Sequence, residues 1–126
     1  MIVADTDVLI DFLKGSGKSA ERVELELKHG LYTTVITAFE LWNGAAGSPR
    51  REATVETLLD SLKIIPCKVS AAKQAAQIRY SLQKLGRTIG MADSLIAGIC
   101  VAERAVLLTR NTKHFSDIDG LLLGGL

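Results

Sequence analysis

Cysteine, histidine, proline and aromatic residues are all scarce in this chain. The two cysteines, Cys67 and Cys100, and the two histidines, His29 and His114, offer no zinc-ligand spacing. Cys100 falls on an apolar helical face and reads as a buried free thiol, which fits reduced, intracellular conditions. Aromatic residues make up 5%, and the single Trp42 lies one turn inside a predicted helix, a position for core or dimer surface rather than for stacking on bases. An excess of either charge is missing too. Fifteen Lys and Arg against 14 Asp and Glu leave a net charge of +1, so nothing global argues for nucleic acid, although local basic patches remain open. No long hydrophobic run exists. The best stretch, Gly90 to Leu108, carries Asp93, Glu103 and Arg104, which excludes an ordinary transmembrane span. The start has an acid at position 5 and no basic segment, so no signal peptide is expected, and a cytoplasmic location follows.

What is present is a core. Hydrophobic residues are 48% of 126, enough for one domain, and no repeat, low-complexity stretch or linker divides 1–126. Ile2-Val3-Ala4 reads as a buried strand, followed by a short helix from Val8 that stops at Gly15. Ser19 is expected to cap a helix to about Lys28. Leu31–Ile36, rich in β-branched residues, reads as a strand, and Thr37 as the cap of a helix to about Ala46. Ser48-Pro49 starts a helix to about Leu62, with proline at the first helical position, and Lys63–Pro66 is a strand closed by its proline. Ser70 caps a helix to Leu85, another covers Met91–Arg104, and Val106–Thr109 is a strand. Leu121-Leu122-Leu123 fits a strand or an irregular docked tail. This alternation predicts an α/β fold with a mostly parallel sheet.

Three acids stand in core-like sequence: Asp5 after the first strand, Glu40 in Thr37-Ala38-Phe39-Glu40-Leu41, and Asp93 in Met91-Ala92-Asp93-Ser94-Leu95-Ile96. In a parallel sheet, ligands bind beyond the carboxyl ends of the strands. Asp5, Thr37 with Glu40, and Arg110 with Asn111 all follow strands and therefore share one edge. Gathered carboxylates repel unless a cation holds them, which points to a divalent-metal site. Each acid has a plainer explanation. Asp5 could cap the next helix. Glu40 could close a capping box with Thr37. Asp93, at helical spacing from Ile89, Ile96, Ala97 and Cys100, could form a buried ion pair with Arg87 or Arg110. Asp11 and Asp60 read as solvated helix positions, and Asp117 or Asp119 could add a fourth ligand.

With these residues in view, the chain resembles the PIN-domain family, and within it the VapC-type ribonuclease toxins. The likeness rests on Ile2-Val3-Ala4-Asp5-Thr6-Asp7-Val8-Leu9-Ile10-Asp11 with Lys14-Gly15, Ile36-Thr37-Ala38-Phe39-Glu40-Leu41 with Gly44, Ala92-Asp93-Ser94-Leu95-Ile96-Ala97, and Leu107-Leu108-Thr109-Arg110-Asn111 with His114-Phe115. The resemblance implies a three-layer sandwich around a parallel sheet. It also implies an Mg²⁺- or Mn²⁺-dependent endoribonuclease, usually a homodimer, inhibited by a cognate antitoxin. Asp5, Glu40 and Asp93 match the family's acidic positions. Asp5 and Asp93 are expected to ligate metal, and Glu40 to do so directly or through a water. Thr6, Asp7, Thr109 and Asn111 are expected around them, and Arg110, Lys113, Arg87 and Lys14 on the RNA backbone. Two departures stand out: Asn111 is neutral where many members carry an acid there or shortly after, with His114 following, and Asp7 stands where serine is common. Two rival readings are kept. One is a phosphatase of the haloacid dehalogenase type, from Asp5-Thr6-Asp7-Val8. The other is a non-catalytic protein-binding module with a degenerate acidic site. An apolar groove near Phe12, Leu13 and Trp42 is expected to suit a partner segment.

Overall fold

Strands of three residues alternate with helices of up to 16 residues in the computed structural model, which describes residues 1–126. The order is β1 (Ile2–Ala4), α1 (Thr6–Lys14), α2 (Gly17–Leu27), β2 (Tyr32–Thr34), α3 (Val35–Ala45), α4 (Pro49–Asp60), β3 (Lys63–Ile65), α5 (Val69–Lys84), α6 (Met91–Glu103), β4 (Val106–Leu108), α7 (Thr112–Phe115) and β5 (Leu122–Gly124). All five strands are parallel, in the order β3-β2-β1-β4-β5. The chain first builds outward from β1 to β2 and β3, then crosses back and builds the other way through β4 and β5. The direction reverses at the β1–β4 boundary, where such sheets open a crevice beyond their carboxyl ends.

Side-chain alternation along the strands divides the core in two. Val3 and Leu107 point into a cluster with Ile78, Leu82, Ile96, Ile99, Cys100 and Phe115, built on α5, α6 and α7. Ala4 and Leu108 point to the opposite face, into a cluster with Val8, Leu9, Val23, Leu41, Val55 and Leu58 from α1 to α4. The result is the expected three-layer α/β/α sandwich. No helix is long and apolar enough to cross a membrane.

The local differences from the sequence reading have local causes. The second strand stops at Thr34 and not at Ile36, because the Thr34 hydroxyl accepts the Thr37 amide at 3.1 Å and turns the chain into α3. Thr37 is therefore a buried residue inside the helix and not its cap. α1 begins at Thr6, because Asp5 caps it, and Gly15 ends it in the left-handed conformation at φ 66°. Ser16 and Lys68 precede α2 and α5, so Ser19 and Ser70 lie within those helices. The short helix α7 has no counterpart in the sequence reading, and the ambiguous tail around Leu121-Leu122-Leu123 forms the edge strand β5 at Leu122–Gly124.

Gly98 is where α6 meets α5. A Cβ there would lie 2.5 Å from the Ala71 carbonyl oxygen and 2.8 Å from the Ala75 amide nitrogen, both backbone atoms that cannot rotate away. Gly98→Ala is therefore expected to destabilise the fold by about 1–3 kcal/mol, despite alanine's better helix propensity, as read by urea unfolding.

Candidate active site

Asp5 is the last residue before α1 and is 4% exposed. Its backbone amide continues the β1–β4 ladder by donating to the Leu108 carbonyl at 2.9 Å. Its carboxylate accepts the Thr6 amide at 2.8 Å through Oδ1 and the Thr109 hydroxyl at 2.7 Å through Oδ2. Helix capping and a role in a site are thus compatible, one oxygen serving each. The Asp5 carboxyl is pushed up from 3.8 to about 6, chiefly by burial. The hydrogen bonds from Thr109 and Thr6 oppose this, while the charges of Asp7 and Asp93 add to it.

Asp7 lies in the first turn of α1. Its Oδ2 accepts the Arg110 amide at 3.0 Å and stands 3.4 Å from the Thr109 hydroxyl. A hydroxyl has one proton to give, and the shorter contact assigns it to Asp5. Thr109 in turn accepts the Asn111 amide at 3.0 Å, so the turn after β4 is tied to the acids by its backbone. Oδ1 of Asp7 is buried with no hydrogen-bond partner.

Glu40 sits on the face of α3 toward α1 and is half-buried. The Thr6 hydroxyl reaches its Oε1 at 2.7 Å and the Thr37 hydroxyl at 3.0 Å. An ionised carboxylate only accepts, so Thr6 donates to Glu40 and accepts from Thr37. This short relay replaces the expected capping box, which cannot form because Thr37 is not the cap.

Asp93 falls in the first turn of α6, where the helix dipole favours an acid. Ile96, Ala97 and Cys100 below it are fully buried, as the apolar stripe predicts, but Asp93 itself lies at the open end with its side chain 34% exposed. Its neighbour is neither Arg87 nor Arg110 but His114, whose Nδ1 lies 3.5 Å from Asp93 Oδ2. The two arginines are engaged elsewhere. Arg110 pairs with Asp11 at 2.8 Å, so Asp11 is not simply solvated, and Arg87 pairs with Asp117 and donates to the Lys113 carbonyl. With Asp117 held by Arg87, a role for it among the acids has no support. Asn111 contributes its backbone to the turn, and its side chain forms no helix cap.

The acids are linked through Thr109, Thr6 and their mutual repulsion, yet no three carboxylate, thiol or imidazole groups stand close enough to enclose an ion by themselves. Their chemistry nevertheless suits a hard divalent cation: carboxylate oxygens, a carboxyl held above its usual range chiefly by burial and further by neighbouring charge, and an orphaned Asp7 oxygen. A cation that keeps several waters needs few protein ligands.

A cleft of about 760 Å³ runs from Glu40 between α1, α3 and α4. Ile10, Leu13, Leu41, Ala45 and Val55 floor it, and Lys14, Arg50 and Arg51 edge it. Trp42 is not part of this lining, and Phe12 faces a neighbouring hollow with Leu27 and Leu58. The sequence reading missed Arg50 and Arg51. The adjacent cations directly after the helix-starting Ser48-Pro49 were the available signal. The Cys100 thiol is fully buried and pushed up to about 12, mainly by desolvation, which leaves it inert.

The chain belongs to the PIN-domain family, whose pattern matches residues 2–121. It is similar to the tRNA(fMet)-specific endonuclease VapC of Shigella flexneri, with 31% identity covering 93% of this chain and 91% of that one. It is 33% identical to ribonuclease VapC1 of Haemophilus influenzae (strain R2866), again over 93% and 91% of the two chains. Among solved structures it resembles a chain of VapBC2 from Rickettsia felis bound to a DNA fragment from their promoter, with TM-score 0.88, 27% identity and coverage of 100% and 99%.

The raised Asp5 carboxyl has a measurable consequence for stability. The folded protein holds this proton more tightly than the unfolded chain. The resulting stabilisation is therefore full below 3.8 and is lost as pH rises through about 6. Asp5→Asn, in the absence of divalent cations, is expected to raise stability at neutral pH by about 1–3 kcal/mol and to leave it little changed in acid. Urea unfolding at both conditions measures the difference, and equal effects at the two would refute it.

Proposed function

We propose that the protein is a metal-dependent endoribonuclease, a VapC-type toxin that cuts RNA phosphodiester bonds with an activated water and is held inactive by a cognate antitoxin. The observation that carries this reading is Asp5, a buried carboxylate at the β1–β4 reversal, bound by Thr109 and repelled by Asp7 and Asp93. The relatives' names, endonuclease and ribonuclease, supply the reaction class.

In this reading Asp5 and Asp93 hold Mg²⁺ or Mn²⁺, with Glu40 ligating directly or through a water. When bound, the cation neutralises charge growing on the phosphate and makes a water more acidic. Thr109 fixes the Asp5 rotamer. Thr6 occupies Glu40 Oε1, leaving Oε2 either to ligate directly or, where Glu40 acts through a water, to accept that water's proton. Cys100, buried and inert, is no nucleophile, and in this reading Thr6 and Thr109 serve to hold the Glu40 and Asp5 carboxylates.

Lys14, Arg50, Arg51 and Lys113 would grip the RNA backbone without reading bases. Arg110 and Arg87 would join by exchanging Asp11 and Asp117 for phosphate. Each pair has one partner more than half exposed to solvent, where ion pairs are worth about 0–1 kcal/mol, so the exchange is accessible. The apolar cleft ending at Glu40 suits an antitoxin segment whose apolar face fills it and shuts the site. The VapBC structures of relatives are consistent with such a partner. Val35, Phe39 and Trp42, exposed along one side of α3, would form a homodimer face.

Induced expression with and without the antitoxin, followed by mapping of RNA ends, tests the reading. Growth arrest with discrete new ends is expected, with both suppressed by the antitoxin. An unchanged map of RNA ends would reject it.

A further inference from the structure

The mouth of the site contains one nitrogen donor among its oxygens. His114 lies in the single turn of α7, a few residues beyond Thr109, with its Nδ1 3.5 Å from Asp93 Oδ2. That distance is long for a hydrogen bond. It is close to the roughly 3 Å that separates neighbouring donors around a six-coordinate cation with bonds of about 2.1 Å. The two side chains reach solvent, 61% and 34% exposed respectively, at the end of the apolar stripe on α6.

The fold has no other use for this imidazole. α7 is closed by the His114 amide donating to the Asn111 carbonyl, and it is anchored by Phe115, which is 1% exposed. An exposed His–Asp pair adds little stability of its own. Nearby cations are already assigned, Arg87 to Asp117 and Arg110 to Asp11, so neither competes for Asp93.

We propose that His114 and Asp93 form a mixed nitrogen–oxygen corner for the divalent cation, and that the imidazole shifts the site's preference from Mg²⁺ toward Mn²⁺. This rests on the metal-dependent reading given above and refines it. Mg²⁺ strongly favours oxygen donors, whereas first-row transition metals accept imidazole readily. A neutral nitrogen also supplies a ligand without adding another charge to Asp5, Asp7 and Asp93. Two protein donors here, with Asp5 close by and waters or phosphate oxygens completing the shell, agree with the absence of a closed three-residue cage.

The test is pulsed electron paramagnetic resonance of Mn²⁺ bound to the full chain carrying ¹⁵N-labelled histidine. The only other histidine, His29, lies in the turn before β2, at the amino-terminal edge of the sheet, away from the acids. A ¹⁵N coupling to Mn²⁺ is expected in the parent and lost in His114→Ala, with Mn²⁺ affinity falling at least about tenfold and Mg²⁺ affinity much less. His114→Asp should also lose the coupling, while Mg²⁺ binding strengthens relative to Mn²⁺. Bound Mn²⁺ without ¹⁵N coupling in the parent would overturn this inference alone. A coupling that survives in His114→Ala would trace to His29 and overturn it as well. Failure of the parent to bind Mn²⁺ at all would overturn the metal-dependent reading together with it.

Discussion

Asp5→Ala and Asp93→Ala are each expected to lower RNA cleavage by at least about 10³-fold while leaving the protein folded. The two acids approach the site from different layers of the sandwich, Asp5 from the end of β1 and Asp93 from the first turn of α6. Neither can replace the other. Asp5→Ala removes a carboxyl pushed up to about 6 by burial and neighbouring charge, so repulsion is relieved and the metal-free fold should hold or gain stability. Asp93 is partly exposed, and its removal opens no cavity in the core. Single-turnover cleavage of a defined RNA, paired with circular dichroism and urea unfolding, separates lost chemistry from lost structure. Cleavage within about tenfold of the parent in either folded variant would mean that the acids are not the catalytic centre.

Chelation should have an effect of similar size. Excess EDTA is expected to abolish cleavage, and added Mg²⁺ or Mn²⁺ to restore it. Because the cation binds the folded chain, saturating metal at about 100 times its dissociation constant should also stabilise the protein by about 2.7 kcal/mol. That gain should shrink in Asp5→Ala and Asp93→Ala, giving a readout independent of turnover. Its dependence on acidity follows from Asp5. Below about 6 the carboxyl is increasingly protonated and the ion must displace a proton, so the stabilisation should fade as pH drops. Full cleavage in EDTA, or a thermal shift indifferent to both substitutions, would exclude a metal-dependent mechanism.

Much of this was written locally. The alternation of short apolar or β-branched runs with amphipathic segments is a matter of period, and period survives in a single sequence. So does the placement of Asp5, Glu40 and Asp93 just past strands or on an apolar stripe. The misplaced boundaries also have local causes. Thr34 and Thr37 are both competent caps, and only the turn made by Thr34 decides between them. Val35 and Ile36 favour strands by propensity, yet they enter the helix once that cap forms.

The amino-acid sequence by itself determined an α/β chain with enough apolar residues for a core and three acids set in core-like sequence. Only the tertiary structure decided who meets whom. Pairing β4 beside β1 brings the Thr109 hydroxyl to Asp5 across 104 positions of chain, and docking α1 on α3 joins Thr6 to Glu40 across 34. The same packing gives Asp93 a histidine for a neighbour in place of an arginine. Propensity and spacing act over a few residues, whereas these contacts are set by strand order and by which faces of the sheet the helices cover. No local pattern carries that information.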